Sequence, residues 1–164
     1  MTLPPADGLA LVRQYTAASE SLAVVVTTRP EEDDPYVAVV NAAIVDHPLT
    51  SQPVAAFVAR RGAKLDNLRL RPRATLVFRD GWEWVAVRGP VELSGPDDPH
   101  PGIESAMQRR LLRTIYHAAG GRHPDLDAYD TTMLEQRRCA VLLEPERIWT
   151  NPPGSEHQEP DDQP

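Results

Sequence analysis

The chain has 164 residues, 41% of them hydrophobic and 25% charged, with a formal net charge of -7. That length fits one ordinary domain able to bury a core, and no apolar run approaches the roughly 20 residues that span a bilayer. The N-terminal MTLPPADGLA lacks the basic and apolar regions of a secretory leader. The single cysteine, Cys139, admits no intramolecular disulfide, which fits a cytoplasmic protein.

Charge is unevenly spread. The last 14 residues, NPPGSEHQEPDDQP, carry four carboxylates, four prolines and no Lys or Arg. Such a segment buries too little apolar surface to offset the entropy of ordering, so 151–164 is expected to be a disordered tail behind a domain of 1–150. Residues 60–80 instead hold seven of the 17 basic side chains against two acids, Asp66 and Asp80. Concentrated positive charge in an acidic chain suits either an anionic ligand or a solvated basic face. The cluster is too short for a general nucleic-acid reader.

In chain order, residues 7–20 place Leu9, Val12 and Ala17 or Ala18 near helical spacing. SLAVVVTTR (21–29) is a β-branched apolar run and predicts a buried strand. PEEDDP (30–35) is a turn, and YVAVVNAAIV (36–45) is the returning strand. DHPLTSQP (46–53) turns again into VAAFVAR (54–60). AKLDNLRLR then reads as a short helix with Leu65, Leu68 and Leu70 on one side, ended by Pro72. ATLVFRD (74–80) and WEWVAVRGPVEL (82–93) form a hairpin signalled by Asp80–Gly81, with a bend or bulge at Gly89–Pro90.

After the loop 94–102, Ile103, Met107, Leu111 and Ile115 recur every four residues, widened by Leu112 and Tyr116. Gly120–Gly121 stops that helix. Residues 125–138 give a second helix with Leu126, Tyr129 and Met133 inward. CAVLLEPERIWT (139–150) is a last strand broken or bulged at Pro145, opened by Cys139 as a small buried side chain. The sum is a mainly β chain with α, of about six strands and flanking helices.

Common catalytic constellations are missing: there is no GxSxG, HExxH, CxxC or P-loop. His117, His123 and Asp125 match no common metal spacing and read as exposed helix-end groups. His47 reads as a polar loop residue, and Asp97 and Asp98 as helix caps. The informative stretch is FVARRGAKLDNLRLRPRATLVFR (57–79). A strand end delivers Arg60 and Arg61, a glycine turn follows, and a helix start presents free N–H groups, Lys64 and then Asn67. Helix N-termini favour phosphate, guanidinium groups add bidentate bonds, and Lys64, the only lysine, adds a mobile point charge.

RGAKLDNL after a strand, followed by RLRPRATLVFR, resembles the pyridoxamine-phosphate-oxidase-like superfamily of split β-barrels. The GWEWVAVRGPVELSGPDDP hairpin and LLEPERIWTNP extend the resemblance over about residues 8–152 and bring it closest to the actinobacterial branch that binds the deazaflavin coenzyme F420. The resemblance implies a split β-barrel homodimer with two cofactors at the subunit interface. Arg60, Arg61, Lys64 and Asn67 would hold the cofactor phosphate, with Trp82 and Trp84 as ring neighbours or as packing residues. It implies hydride transfer to a conjugated small molecule. FMN in the same fold, or a non-catalytic flavin- or haem-binding module, is the alternative. Val58 and Ala59 stand where many relatives carry a hydroxyl, and Glu146–Arg147–Ile148–Trp149 departs from the pattern of a vitamin B6 oxidase.

Overall fold

A computed structural model describes residues 1–18, 21–30 and 34–151, apart from the side chain of Ala18. The elements run α1 (Pro5–Ala18), β1 (Leu22–Thr28), β2 (Pro35–Asp46), β3 (Pro53–Ala59), α2 (Ala63–Leu70), β4 (Arg73–Asp80) and β5 (Glu83–Ser94), then α3 (Ser105–Ala118), α4 (Leu126–Glu135), β6 (Cys139–Leu143) and β7 (Arg147–Thr150). The expected tail, beyond Asn151, and three residues of the expected acidic turn, 31–33, lie outside the described residues.

All pairings are antiparallel, in the order β4-β1-β2-β3-β6-β5-β7, and β4 also pairs with β5. The β4–β5 ladder closes β4-β1-β2-β3-β6-β5 into a six-strand barrel. Closure leaves fewer unpaired backbone edges than an open sheet would. Two long strands belong to both halves of the ring. Residues 35–41 of β2 pair with β1, whereas Ala42–Asp46 pair with β3. In β5, Val85–Arg88 pair with β7 and Val91–Ser94 with β6. The barrel is therefore split, each half being a small sheet joined through β2 and β5.

The last expected strand is two strands, β6 and β7, parted around Pro145 and lying along one edge of β5. Gly89 is the reason they part there. The chain between them folds over it, with Glu144 N–H donating to Pro90 O and Glu146 N–H donating to Arg88 O. A Cβ on Gly89 would collide with the Glu144 carbonyl oxygen. The hairpin turn sits one residue later than its sequence signal. Asp80 pairs with Glu83, so the turn residues are Gly81 and Trp82, and Gly81 takes φ 57°.

Two apolar clusters follow from strand alternation. Inside the barrel, Val25, Phe57, Leu76, Phe78, Val85, Val87, Val141 and Leu143 are fully buried, with α1 contributing Val12 and Tyr15 and α2 contributing Leu65 and Leu68. Outside, Val54 and Ala56 of β3 and Ala140 and Leu142 of β6 pack against Leu111, Leu112, Ile115 and Tyr129 of α3 and α4. Burial on both faces explains why β3 and β6 read as unbroken apolar runs. Of the expected Ala17 or Ala18, Ala17 is exposed while Tyr15 is buried, and Leu70 is exposed because the short α2 turns Leu65, Asn67 and Leu68 inward. The described residues contain no helix long and apolar enough to cross a membrane.

Substituting Gly89→Ala forces the strand crossover apart and is expected to cost about 3 kcal/mol. A lowered urea midpoint would report it, and an unchanged midpoint would contradict the close approach of the β6–β7 segment.

Candidate anion-binding site

The site is built where β3 ends. Phe57 and Ala59 point into the barrel and are fully buried, so alternation sends Val58 and Arg60 outward. Gly62, at φ 140° and extended ψ, reverses the chain into α2 at a conformation that side chains rarely adopt. This turn sets Lys64 on the first turn of α2, beside Arg60. Lys64 Nζ lies 5.5 Å from the centre of the Phe57 ring.

Arg60 and Lys64 share an open cleft of about 570 Å³ with Val39–Asn41 of β2, Tyr116 and Ala119 of α3, Tyr129 and Met133 of α4, and Arg138 before β6. Three cations thus face one cavity. Among the described residues none of them has a carboxylate partner; the Arg138 Nε bonds only the Gln136 amide oxygen, at 2.9 Å. Burial, and then the charges of Arg60 and Arg138, lower the Lys64 pKa from its ordinary value. Burial and Arg60 likewise lower that of Arg138. A cavity holding uncompensated positive charge is matched to an anion, so the chain's own residues fit a phosphate-bearing cofactor.

The rest of the basic segment is committed elsewhere. Arg61 donates through Nε to Asp97 at 3.2 Å. Arg69 bridges Asp66 and Asp98, Arg71 donates to the Thr28 hydroxyl, and Arg73 pairs with Glu146. Asn67 is 1% exposed; its Nδ2 donates to Thr27 Oγ1 at 3.1 Å and its Oδ1 accepts from Arg29 Nε at 2.9 Å. Its side chain thus ties α2 to β1. Trp82 is 75% exposed at the tip of the β4–β5 hairpin, roughly 23 Å of strand away from the α2 end of β4. The structure brings together Arg60 and Lys64, places Arg61 beside them on a different partner, and sets Asn67 and Trp82 apart.

Arg138, Tyr116 and Tyr129 were not foreseen as site residues. The two tyrosine rings pack at 4.7 Å between centroids, with hydroxyls donating to Arg122 O and Leu112 O. Burial, then Tyr116 and Asp130, push the Tyr129 phenol up to about 12, so it remains protonated at neutral pH. The Arg137–Arg138 dipeptide just ahead of the last strand was the available signal.

Two local readings are corrected, that of Asp97 and Asp98 and that of His47. Asp97 and Asp98 are ion-pair partners of arginines, and the N-cap of α3 is Glu104, whose side chain makes no capping bond. Asp125 is the residue that caps α4, accepting from the N–H groups of Asp127 and Ala128 at 3.0 Å. His47 is buried: its Nδ1 accepts from the N–H groups of Leu49 and Thr50, and its Nε2 meets Glu92 at 3.1 Å. Cys139 is buried at the start of β6, its thiol pushed up to about 12 by burial. Among the described residues, no group of three or more His, Cys, Asp or Glu is placed to hold a metal ion.

Asn67→Ala removes two hydrogen bonds from a buried position and is expected to cost about 2 kcal/mol in urea unfolding. A change under about 0.5 kcal/mol would contradict the tie between α2 and β1.

Comparison with other proteins agrees with this architecture. The family described as Pyridoxamine 5'-phosphate oxidase matches residues 12–150, and no curated protein matches the chain. Among solved structures, a conserved hypothetical protein of Mycobacterium tuberculosis superposes with TM-score 0.62 at 16% identity, over 90% of this chain and 84% of that one. A pyridoxamine 5'-phosphate oxidase-related, FMN-binding protein of Nostoc punctiforme superposes with TM-score 0.59 at 18% identity, over 90% and 84%. A protein of Agrobacterium tumefaciens gives TM-score 0.59 at 15% identity over 90% of this chain, which spans 57% of that longer chain. At such identities the structural likeness speaks for the fold, and the sequence match over 12–150 for the family. The chain belongs to the pyridoxamine 5'-phosphate oxidase-like family of split β-barrels.

Proposed function

We propose that the chain is an oxidoreductase that holds a flavin-type cofactor by its phosphate at Arg60, Lys64 and Arg138, and that the cofactor is the deazaflavin F420. The observation that carries the reading is the convergence of three cations on one cleft without a carboxylate among the described residues. F420 is favoured by the RGAKLDNL and GWEWV segments described above. FMN is the second reading, favoured by the FMN-binding relative from Nostoc punctiforme.

When bound, such a cofactor supplies a ring that exchanges hydride with a conjugated small molecule. The chain contributes position and charge. Arg60 and Arg138 offer guanidinium forks to phosphate oxygens and Lys64 adds a point charge. Ile115 and Met133 give the cleft an apolar wall, and the Tyr116–Tyr129 pair stiffens its helical side. No side chain is asked to act as a general acid or base.

A second copy of the chain completes this reading. Leu22, Tyr36, Val37 and Val39 are exposed apolar residues, three of them on β2. Among the described residues, that half of β2 pairs only with β1. Val39 also lines the cleft, so a copy docked on β2 would wall the cavity. Apolar surface grouped in this way is what a symmetric dimer buries.

Titration of cofactor-free protein with F420, FMN and riboflavin tests the reading. Binding of F420 at micromolar strength or tighter is expected, lost by about tenfold or more in Arg60→Ala and in Lys64→Ala. Tight FMN binding with weak F420 binding would select the second reading. Failure of both phosphorylated cofactors to outbind riboflavin would overturn the anion site as a cofactor site.

A further inference from the structure

Two arginine dipeptides, Arg60–Arg61 and Arg137–Arg138, meet at one strand junction. The β3–β6 ladder ends with Ala59 opposite Cys139, so the two dipeptides leave its end side by side, and continuing its register would set Arg60 opposite Arg138 and Arg61 opposite Arg137. Like charges directly opposite each other destabilise a strand pair. One of the two pairs is neutralised and the other is not. Asp97, in the loop between β5 and α3, accepts from Arg61 Nε at 3.2 Å and from Arg137 Nε at 2.8 and 2.9 Å. A further short bond joins Arg137 Nη2 to the same carboxylate. Arg60 and Arg138 face the cleft with Lys64.

The backbone of Arg137 gives a second, independent indication. Arg137 N–H donates to Leu134 O, and Arg138 N–H donates to Met133 O, closing the end of α4. Arg137 itself takes φ 49°, the left-handed position that glycine fills in most such helix ends. A side chain is strained there, and the one present is locked onto Asp97. Asp97 in turn sits on a braced loop. Gly95 and Asp98 exchange backbone hydrogen bonds of 2.9 and 3.1 Å, and Arg69 grips the Asp98 carboxylate at 2.7 and 2.8 Å.

We infer that Asp97 is a positioning residue of the anion site: by holding Arg61 and Arg137 on one face, it keeps Arg60 and Arg138 turned together into the cleft on the other. This rests on the cofactor reading above for its biological ligand, but not for its test. The low Asp97 pKa, about 2, set mainly by its bonds from Arg137, keeps the clamp charged across the physiological range.

The sign of one substitution separates positioning from plain electrostatics. Asp97→Asn removes a negative charge next to a cation cluster, so charge alone predicts tighter anion binding. Positioning predicts weaker binding. With inorganic phosphate as the probe, measured by calorimetry, Asp97→Asn is expected to weaken binding on the order of fivefold, with part of the loss recovered by Asp97→Glu. Equal or tighter phosphate binding by Asp97→Asn overturns the inference. Should that variant not fold, Arg137→Lys keeps the charge but breaks the paired bonds. It is expected to weaken phosphate binding likewise, and unchanged binding overturns the clamp. Wild-type protein that binds phosphate but neither FMN nor F420 would overturn the cofactor reading, while the clamp is still judged by the phosphate comparison. Wild-type protein that binds no phosphate would overturn the clamp.

Discussion

Strand alternation at the junction of β3 and β6 is the constraint on which the site depends. Phe57 and Ala59 must fill the barrel, so Arg60 has no choice but to emerge on the opposite face, across from Arg138. Gly62 then turns the chain so that the single lysine joins them. Repulsion among three cations is destabilising on its own account. The fold keeps this cluster together while pairing Arg61, Arg69, Arg73 and Arg137 with carboxylates, which concentrates positive charge in the cleft.

The barrel serves that junction by being rigid. β3 and β6 are buried on both faces, with barrel residues on one side and α3 and α4 on the other. β2 and β5, each 12 residues long, carry the chain between the two half-sheets, and the Gly89 crossover lets β6 and β7 share one edge of β5. The same helices that cover β3 and β6 also wall the cleft with Tyr116, Tyr129 and Met133. The core and the cleft therefore draw on one set of elements.

Much of this was legible in the sequence, because its signals are local. β-branched runs marked the strands and Leu65 and Leu68 marked the inner face of α2, whereas Gly89–Pro90, expected as a bend or bulge, lies in the unbroken strand β5 where its partner changes from β7 to β6. The superfamily resemblance also led to the correct barrel. What stayed hidden depends on partners distant in sequence. Asp97 and Asp98 look like helix caps in isolation, yet arginines from α2 and the end of α4 claim them. Asp80–Gly81 is a strong turn dipeptide, but the register that buries Phe78 and Val85 moves the turn to Gly81–Trp82. Arg138 could not be joined to Arg60 without the strand order, nor could the contact of the buried His47 with Glu92 of β5 be foreseen.

Lys64 is the only lysine in the chain, which gives the central claim a direct measurement. Selective ¹⁵N labelling of lysine yields one side-chain signal, whose titration can be followed with and without a phosphate-bearing cofactor. In the free protein, burial and the neighbouring Arg60 and Arg138 hold the Lys64 pKa below the ordinary lysine value. A bound phosphate places a negative charge beside the ammonium and favours its protonated form. The account predicts that the Lys64 pKa rises on addition of F420 or FMN and does not rise with riboflavin. A Lys64 pKa that is already ordinary in the free protein, and does not move with either phosphorylated cofactor, would contradict it.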